Sequence, residues 1–235
     1  HLFSSAASDV YKRQVQVIAS DWRGPADPGA IADRLRADDD RHIKAVCCVH
    51  NETATGVTSN IAAVRAAIDD TGHPALLMVA TISGLGGCDY RHDEWGVDVT
   101  ICGSQKGLML PPGLGFNCLS RKALDAHEAS TYQRSYWDWG PMLGNNANGY
   151  FPYTPATTLL YGLDEALNIL LDEEGLEAVF KRHERHAAAT RVAVEHWGLE
   201  IWCSDKAHYS PILTGVLMPD GHDADALRKL ILERF

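Results

Sequence analysis

Lys106 lies in the run Gly103-Ser104-Gln105-Lys106-Gly107-Leu108-Met109-Leu110-Pro111-Pro112-Gly113. The run directly follows Val97-Asp98-Val99-Thr100-Ile101-Cys102, an apolar stretch that reads as a buried strand. A lysine just past a strand, between glycines, can be approached closely by a flat ligand because nothing bulky shields it. Pro111-Pro112-Gly113 makes a stiff turn that holds the lysine on rigid backbone. That arrangement suits Schiff-base chemistry, in which the amine must be partly desolvated to be nucleophilic near neutral pH. An isolated Gly-x-x-Lys-Gly also fits an exposed loop lysine, so the surrounding elements decide between the two.

Those elements alternate. Val15–Ala19 reads as a short strand. Asp27-Pro28 supplies an N-cap and a first-turn proline for a helix to about Ala37. Ile43–Val49 is a buried strand, and Ser59 is expected to cap a helix that places Ile61, Val64 and Ile68 on one face. Ala75–Ala80, Val97–Cys102 and Gly115–Leu119 complete the strands. The pattern predicts an α/β fold with a mainly parallel sheet flanked by helices and right-handed crossovers. Ligands of such sheets sit beyond the carboxyl ends of the strands, so the loops after Val49, Ala80 and Cys102 should converge on one site. After Gly140 the run Asn145-Asn146-Ala147-Asn148-Gly149 reads as an irregular loop. Pro155 should open a helix through Leu170, and a long helix should run from about Glu174 to Trp197. Ile201–Cys203 and Ile212–Met218 read as strands, and Asp223 starts the last helix.

Composition narrows the function classes. The 235 residues are 46% apolar, which suits a chain with a sizeable core, and 21 basic against 31 acidic side chains give a net charge of -10. No basic cluster forms a patch, which argues against a nucleic-acid partner. No apolar run approaches the ~18 residues a membrane span needs, so no membrane role is expected. Cys47, Cys48, Cys88, Cys102, Cys118 and Cys203 lack Cys-x-x-Cys spacing and read as reduced core residues of a cytoplasmic protein. His183 and His186 stand at i and i+3, but beside Lys181 and Arg182 they read as a solvated helix face and not as metal ligands. His92-Asp93-Glu94 reads as a solvated connection. His50, at a strand end, fits either a site contact or a structural role. Tyr136-Trp137-Asp138-Trp139 is too aromatic for an ordinary loop and reads as a dimer contact or lid.

With the strand-end loops in view, four motifs carry a resemblance. His50-Asn51-Glu52-Thr53-Ala54-Thr55-Gly56-Val57, Thr81-Ile82-Ser83-Gly84-Leu85-Gly86-Gly87, the tract Asp89 to Asp98, and Gly103-Ser104-Gln105-Lys106-Gly107 are similar to class V pyridoxal-phosphate aminotransferases. Within the class the tract Tyr90 to Val99, Gln105 to Gly113 and Tyr153 to Tyr161 resemble the serine–glyoxylate branch. The resemblance implies a fold type I transferase, pyridoxal 5'-phosphate as cofactor, small amino-acid and 2-oxo-acid substrates, and a homodimer with sites at the subunit interface. The implied reaction passes the amino group of L-serine to glyoxylate, giving hydroxypyruvate and glycine. Alanine or aspartate as donor is one alternative, and a catalytically impaired cofactor-binding homologue is the other.

The site residues follow from the same resemblance. Lys106 matches the lysine that binds the cofactor covalently and moves a proton, and Gln105 the residue lining the cofactor beside it. Thr53 matches a hydroxyl donor to the phenolic oxygen, and Ile82 a branched residue on the ring face. Thr154 matches a threonine that reaches the phosphate of the partner subunit's cofactor. The family has tyrosine three positions before it, where this chain has Phe151, so Tyr150 or Tyr153 would have to substitute. Ala80 stands where the family has the aspartate facing the pyridine nitrogen, and alanine offers no carboxylate. Residues 1–14 look unlike the family and are expected to be an artefactual leader. Residues 15–173 read as a partial cofactor-binding large domain and 174–235 as the start of a small carboxyl-terminal domain. The amino-terminal phosphate loop and a carboxylate-binding arginine beyond Phe235 are expected to lie outside this sequence.

Overall fold

The computed structural model describes residues 14–235. In chain order the elements are α1 (Pro28–Arg36), β1 (Ala45–Val49), β2 (Asn51–Glu52), β3 (Val57–Thr58), α2 (Ile61–Asp70), β4 (Leu76–Ala80), β5 (Val99–Gly103) and β6 (Gly115–Leu119). There follow α3 (Arg121–Ala129), α4 (Trp139–Asn146), α5 (Thr157–Leu167), a π-helical turn (Asn168–Glu173), α6 (Leu176–His196) and α7 (Ala224–Arg234). The sheet runs β1-β4-β5-β6. The first three strands are parallel and β6 pairs antiparallel with β5. The carboxyl ends of β1, β4 and β5 therefore share one edge.

Local chemistry explains the helix starts. Asp27 accepts the Gly29 and Ala30 amides at 2.8 and 3.1 Å, and Pro28 needs no donor in the first turn. Ile31 and Leu35 of α1 and Ile61, Val64 and Ile68 of α2 then pack with Cys48, Leu77 and Val79 in one core on one face of the sheet. The opposite face is only half covered: Cys47 is exposed and Ile101 is 39% exposed. A second cluster joins Leu108 and Leu110, just past Lys106, to Ala166, Leu170 and Val179. A third joins Val57 to Val194, Ile201 and Cys203.

Several sequence expectations need correction. Val15–Ala19 is irregular and not a strand; the sheet ends at β1, and Val17 stands 68% exposed. Asn60, not Ser59, caps α2 through the Ala63 amide at 3.0 Å, while the Ser59 hydroxyl accepts the Ala26 amide at 3.1 Å. Asn145 and Asn146 are helical, because Asp138 accepts the Gly140 amide at 2.9 Å and starts α4. The helix expected from Pro155 begins at Thr157 and passes into the π-helical turn. Ile201–Cys203 and Ile212–Met218 reduce to the single bridge Ile201 to Val216, since Gly215 backs onto the Thr55 carbonyl and not onto a further strand. Cys47 and Cys118 are exposed and are not core residues. The proposed leader, residues 1–14, lies almost wholly outside the described residues. No helix among the described residues is long and apolar enough to cross a membrane.

Candidate active site at the carboxyl edge of the sheet

Val49, Ala80 and Ile101 form one row across the parallel strands. The ladder then ends with the His50 amide donating to the Ala80 carbonyl at 3.0 Å and the Thr81 amide to the Ile101 carbonyl at 2.8 Å. Beyond this row three loops rise together.

The first is the β2–β3 hairpin, with Thr53 exposed at its tip and the Gly56 amide donating to the Glu52 carbonyl at 2.9 Å. The second begins at Thr81 and carries Ile82, 39% exposed, on a turn in which the Gly84 and Leu85 amides both donate to the Thr81 carbonyl. Ser83 locks the two loops together. Its hydroxyl donates to the Asn51 carbonyl at 2.7 Å and accepts from the Asn51 amide group at 3.2 Å. Asn51 is buried, and its remaining oxygen accepts the Thr58 hydroxyl at 3.0 Å.

The third loop carries Gln105 and Lys106, both exposed. Ser104, fully buried, closes it: its hydroxyl donates to the Pro111 carbonyl at 2.8 Å and accepts the Leu114 amide at 3.2 Å. The Met109 amide donates to the Lys106 carbonyl at 2.9 Å, and Met109 itself has φ 60°. A left-handed methionine costs roughly 1–2 kcal/mol, so the loop is held there by the packing of Leu108 and Leu110. The side chains of Thr53, Gln105 and Lys106 make no hydrogen bond among the described residues. A free hydroxyl on the first loop and a free amine and amide on the third thus rise from one edge, with Ile82 on the loop between them.

His50 resolves toward structure. It is buried beneath Gly84 and packed against Tyr90 and Trp95, with ring centroids 5.1 and 6.0 Å away. Its Nδ1 has no hydrogen-bond partner among the described residues. Burial, opposed by the nearby Asp89 carboxylate, pushes its pKa down to about 4. The folded form therefore stays neutral while the unfolded chain, with an ordinary histidine, takes a proton below about pH 6.5. Stability is complete above that pH and is lost as pH falls from 6.5 toward 4. Between pH 7 and 4.5 this histidine should remove roughly 2–3 kcal/mol. Urea unfolding of a His50→Phe variant at the two pH values should lose correspondingly less; parallel losses in the two proteins would refute a neutral, buried His50.

Of the other expectations, His92 turns inward, its Nδ1 2.7 Å from the Thr100 hydroxyl, so it braces the sheet and does not solvate the connection. Thr154 is exposed, and no hydrogen bond joins it to the three loops among the described residues. Asn51, Ser83 and Ser104 were missed as site-building residues; the visible signal was small polar residues within motifs already singled out. An open cavity of about 500 Å³ lined by Arg65, Asp69, Glu94 and Trp95 lies beside Asp98, at the opposite edge of the sheet from the row Val49–Ala80–Ile101.

A family model described as Aminotransferase class-V matches residues 4–233. The chain belongs to that family. The match begins inside the segment 1–14 that was expected to lie outside it. The chain is 50% identical over 226 residues to a serine–glyoxylate aminotransferase of Methylorubrum extorquens, covering 94% of this chain and 56% of the relative. It is 44% identical over 215 residues to an L-aspartate–glyoxylate aminotransferase of Paracoccus denitrificans, covering 90% and 54%. A solved alanine–glyoxylate aminotransferase from Nostoc sp. superposes with a TM-score of 0.87 at 28% identity, covering 98% of this chain and 60% of that one. The chain thus spans little more than half the length of these relatives. Class V membership implies pyridoxal phosphate as cofactor. The edge fits it in donor chemistry: an unpartnered amine for a carbonyl, an unpartnered hydroxyl for a phenolic oxygen, and an apolar Ile82 for a ring face. At Ala80 the fit lacks a carboxylate.

Proposed function

We propose that this chain is the cofactor-binding part of an aminotransferase that moves the amino group of L-serine to glyoxylate, giving hydroxypyruvate and glycine. The observation that carries the reading is the unpartnered Lys106 amine on a rigid strand-end loop between closely packed glycines. The 50% identity to a serine–glyoxylate aminotransferase supports the donor, and the 44% identity to an aspartate–glyoxylate enzyme makes aspartate the alternative. The chain would act within a protein of the relatives' length, with residues 174–235 opening its carboxyl-terminal domain.

In this reading the bound cofactor supplies an electron-accepting ring. Lys106 would hold it covalently through Nζ, with the carbonyl oxygen leaving as water, and the same Nζ, once freed by the incoming amine, would carry the proton from the substrate alpha carbon to the carbon that takes up the amino group. The Thr53 hydroxyl would donate to the phenolic oxygen, Ile82 would cover one ring face, and Gln105 would line the edge. The exposed group of Tyr136, Trp137, Tyr150 and Tyr153, with Tyr136 and Tyr153 5.2 Å apart, would meet a second copy and carry Thr154 to that copy's phosphate. A second reading, a cofactor-binding homologue with impaired turnover, is favoured by Ala80.

The direct test is chemical. Borohydride reduction of the loaded full-length protein, followed by peptide mapping, should leave pyridoxyl on Lys106, in a protein that sediments as a dimer and forms glycine from serine and glyoxylate. Label on Lys44 or on no lysine would refute the assignment.

A further inference from the structure

Two backbone segments touch at the candidate site where a side chain on either would hold them apart. A Cβ at Gly107 would lie 2.2 Å from the Leu85 carbonyl oxygen and 3.1 Å from both Gly86 C and Gly87 N. From the other wall, a Cβ at Gly86 would lie 2.9 Å from the carbonyl carbon and oxygen of Gly107, and Gly86 has φ +85°. Every one of these neighbours is main chain, so no change of rotamer relieves the overlap. The contact is also isolated. The sheet ladder between these strands stops at the Thr81 amide and the Ile101 carbonyl, and no hydrogen bond joins residues 82–88 to 103–110 among the described residues. Yet both segments are firm in themselves, one through the turn on the Thr81 carbonyl, the other through Ser104. Past the end of the ladder, close packing at this point sets the spacing of the two walls.

We propose that Gly107 is a positioning residue, whose contact with Leu85, Gly86 and Gly87 fixes the Lys106 amine relative to the Ile82 wall. This rests on the reading of Lys106 and Ile82 given above. Restoring van der Waals separation to an alanine at this position needs a movement of roughly 1 Å, and a misplacement of that size can cost about 10²-fold in rate. The loss belongs to geometry and not to binding, so it should fall on kcat and leave KM within a few-fold.

The experiment compares Gly107→Ala with Gly144→Ala, whose Cβ would meet nothing within 4 Å, in the full-length protein loaded with pyridoxal phosphate. In Gly107→Ala, borohydride should still place pyridoxyl on Lys106. The pH midpoint of the visible band of the lysine-bound cofactor should shift, and kcat should fall on the order of 10²-fold. Gly144→Ala should match the parent in all three. Gly86→Ala should reproduce the Gly107→Ala shift, and the double variant should lose less than the sum, because both press on one contact. In the parent, loading the cofactor should slow amide exchange at 84–88 and 105–109 together, a measurement that needs neither turnover nor a folded variant. A parent-like midpoint and kcat in Gly107→Ala, or protection confined to one of the two segments, overturns the proposal. Pyridoxyl missing from Lys106 in the parent instead overturns the Lys106 assignment, and this inference with it.

Discussion

Aspartate in place of Ala80 should raise turnover of the full-length protein on the order of 10²–10⁴-fold while tightening cofactor binding far less. Ala80 ends β4 beside Val49 and Ile101, half-buried, with its carbonyl engaged by the His50 amide. A carboxylate there would make a charge-assisted hydrogen bond to a protonated ring nitrogen, worth roughly 1.5–3 kcal/mol. Its larger effect is on the transition state for alpha-proton removal, where negative charge spreads into the ring and a fixed counter-group is most useful. About 3–5 kcal/mol of such stabilisation corresponds to the stated rate range. In the proposed reading affinity changes less, because a covalent bond to Lys106 and phosphate contacts would not depend on position 80. Steady-state rates of glycine formation and cofactor titrations of the two proteins decide the matter. Equal turnover would mean that another group serves the ring nitrogen.

The second large effect concerns stability, at the opposite edge of the sheet. Asp98 is buried, and its Oδ2 accepts the Leu77 amide at 2.9 Å while Oδ1 accepts the Ser120 hydroxyl at 2.8 Å. Arg65 and Lys122 stand 3.4 and 3.7 Å from Oδ2. One carboxylate thus ties β4, the start of α3, and α2. Asp98→Ala should cost about 3–5 kcal/mol, because it strands a buried amide, a hydroxyl and a mostly buried guanidinium together. Asp98→Asn keeps an acceptor and should cost clearly less. Urea midpoints of the three proteins check this ordering. An alanine variant within about 0.5 kcal/mol of the parent would show that water already serves these groups.

What the sequence makes legible follows from how local each cause is. Asp27-Pro28 starts α1 by contacts within three residues, and Gly115–Leu119 is a strand bounded by its own turn residues, so both can be read from the chain alone. Ser59 and Asn60 are adjacent cap formers, and what separates them is the Ala26 amide, 33 residues away. The strand-like character of Ile212–Met218 misleads because the segment packs on the Thr55 hairpin and not in a sheet. In the candidate site, the loops of Thr53, Ile82 and Lys106 are legible as strand ends on one edge of a parallel sheet. The ties between them are not. Ser83 to Asn51 and Gly86 to Gly107 each span about twenty or more residues, and neither a serine nor a glycine announces its partner. Thr154 has meaning only through family likeness, since no hydrogen bond among the described residues ties it to the edge.

The glycine contacts also bear on how such a site can evolve. The Gly107 position has a carbonyl 2.2 Å from where a Cβ would be, and the Gly215 position has one at 2.4 Å. Point substitution there has no gentle intermediate, so these positions leave selection almost nothing to sample. Exposed Ala54, to which the proposed reading gives no cofactor contact, carries no such restriction. Side chains at such tip positions can therefore change while the spacing of the walls is inherited unchanged.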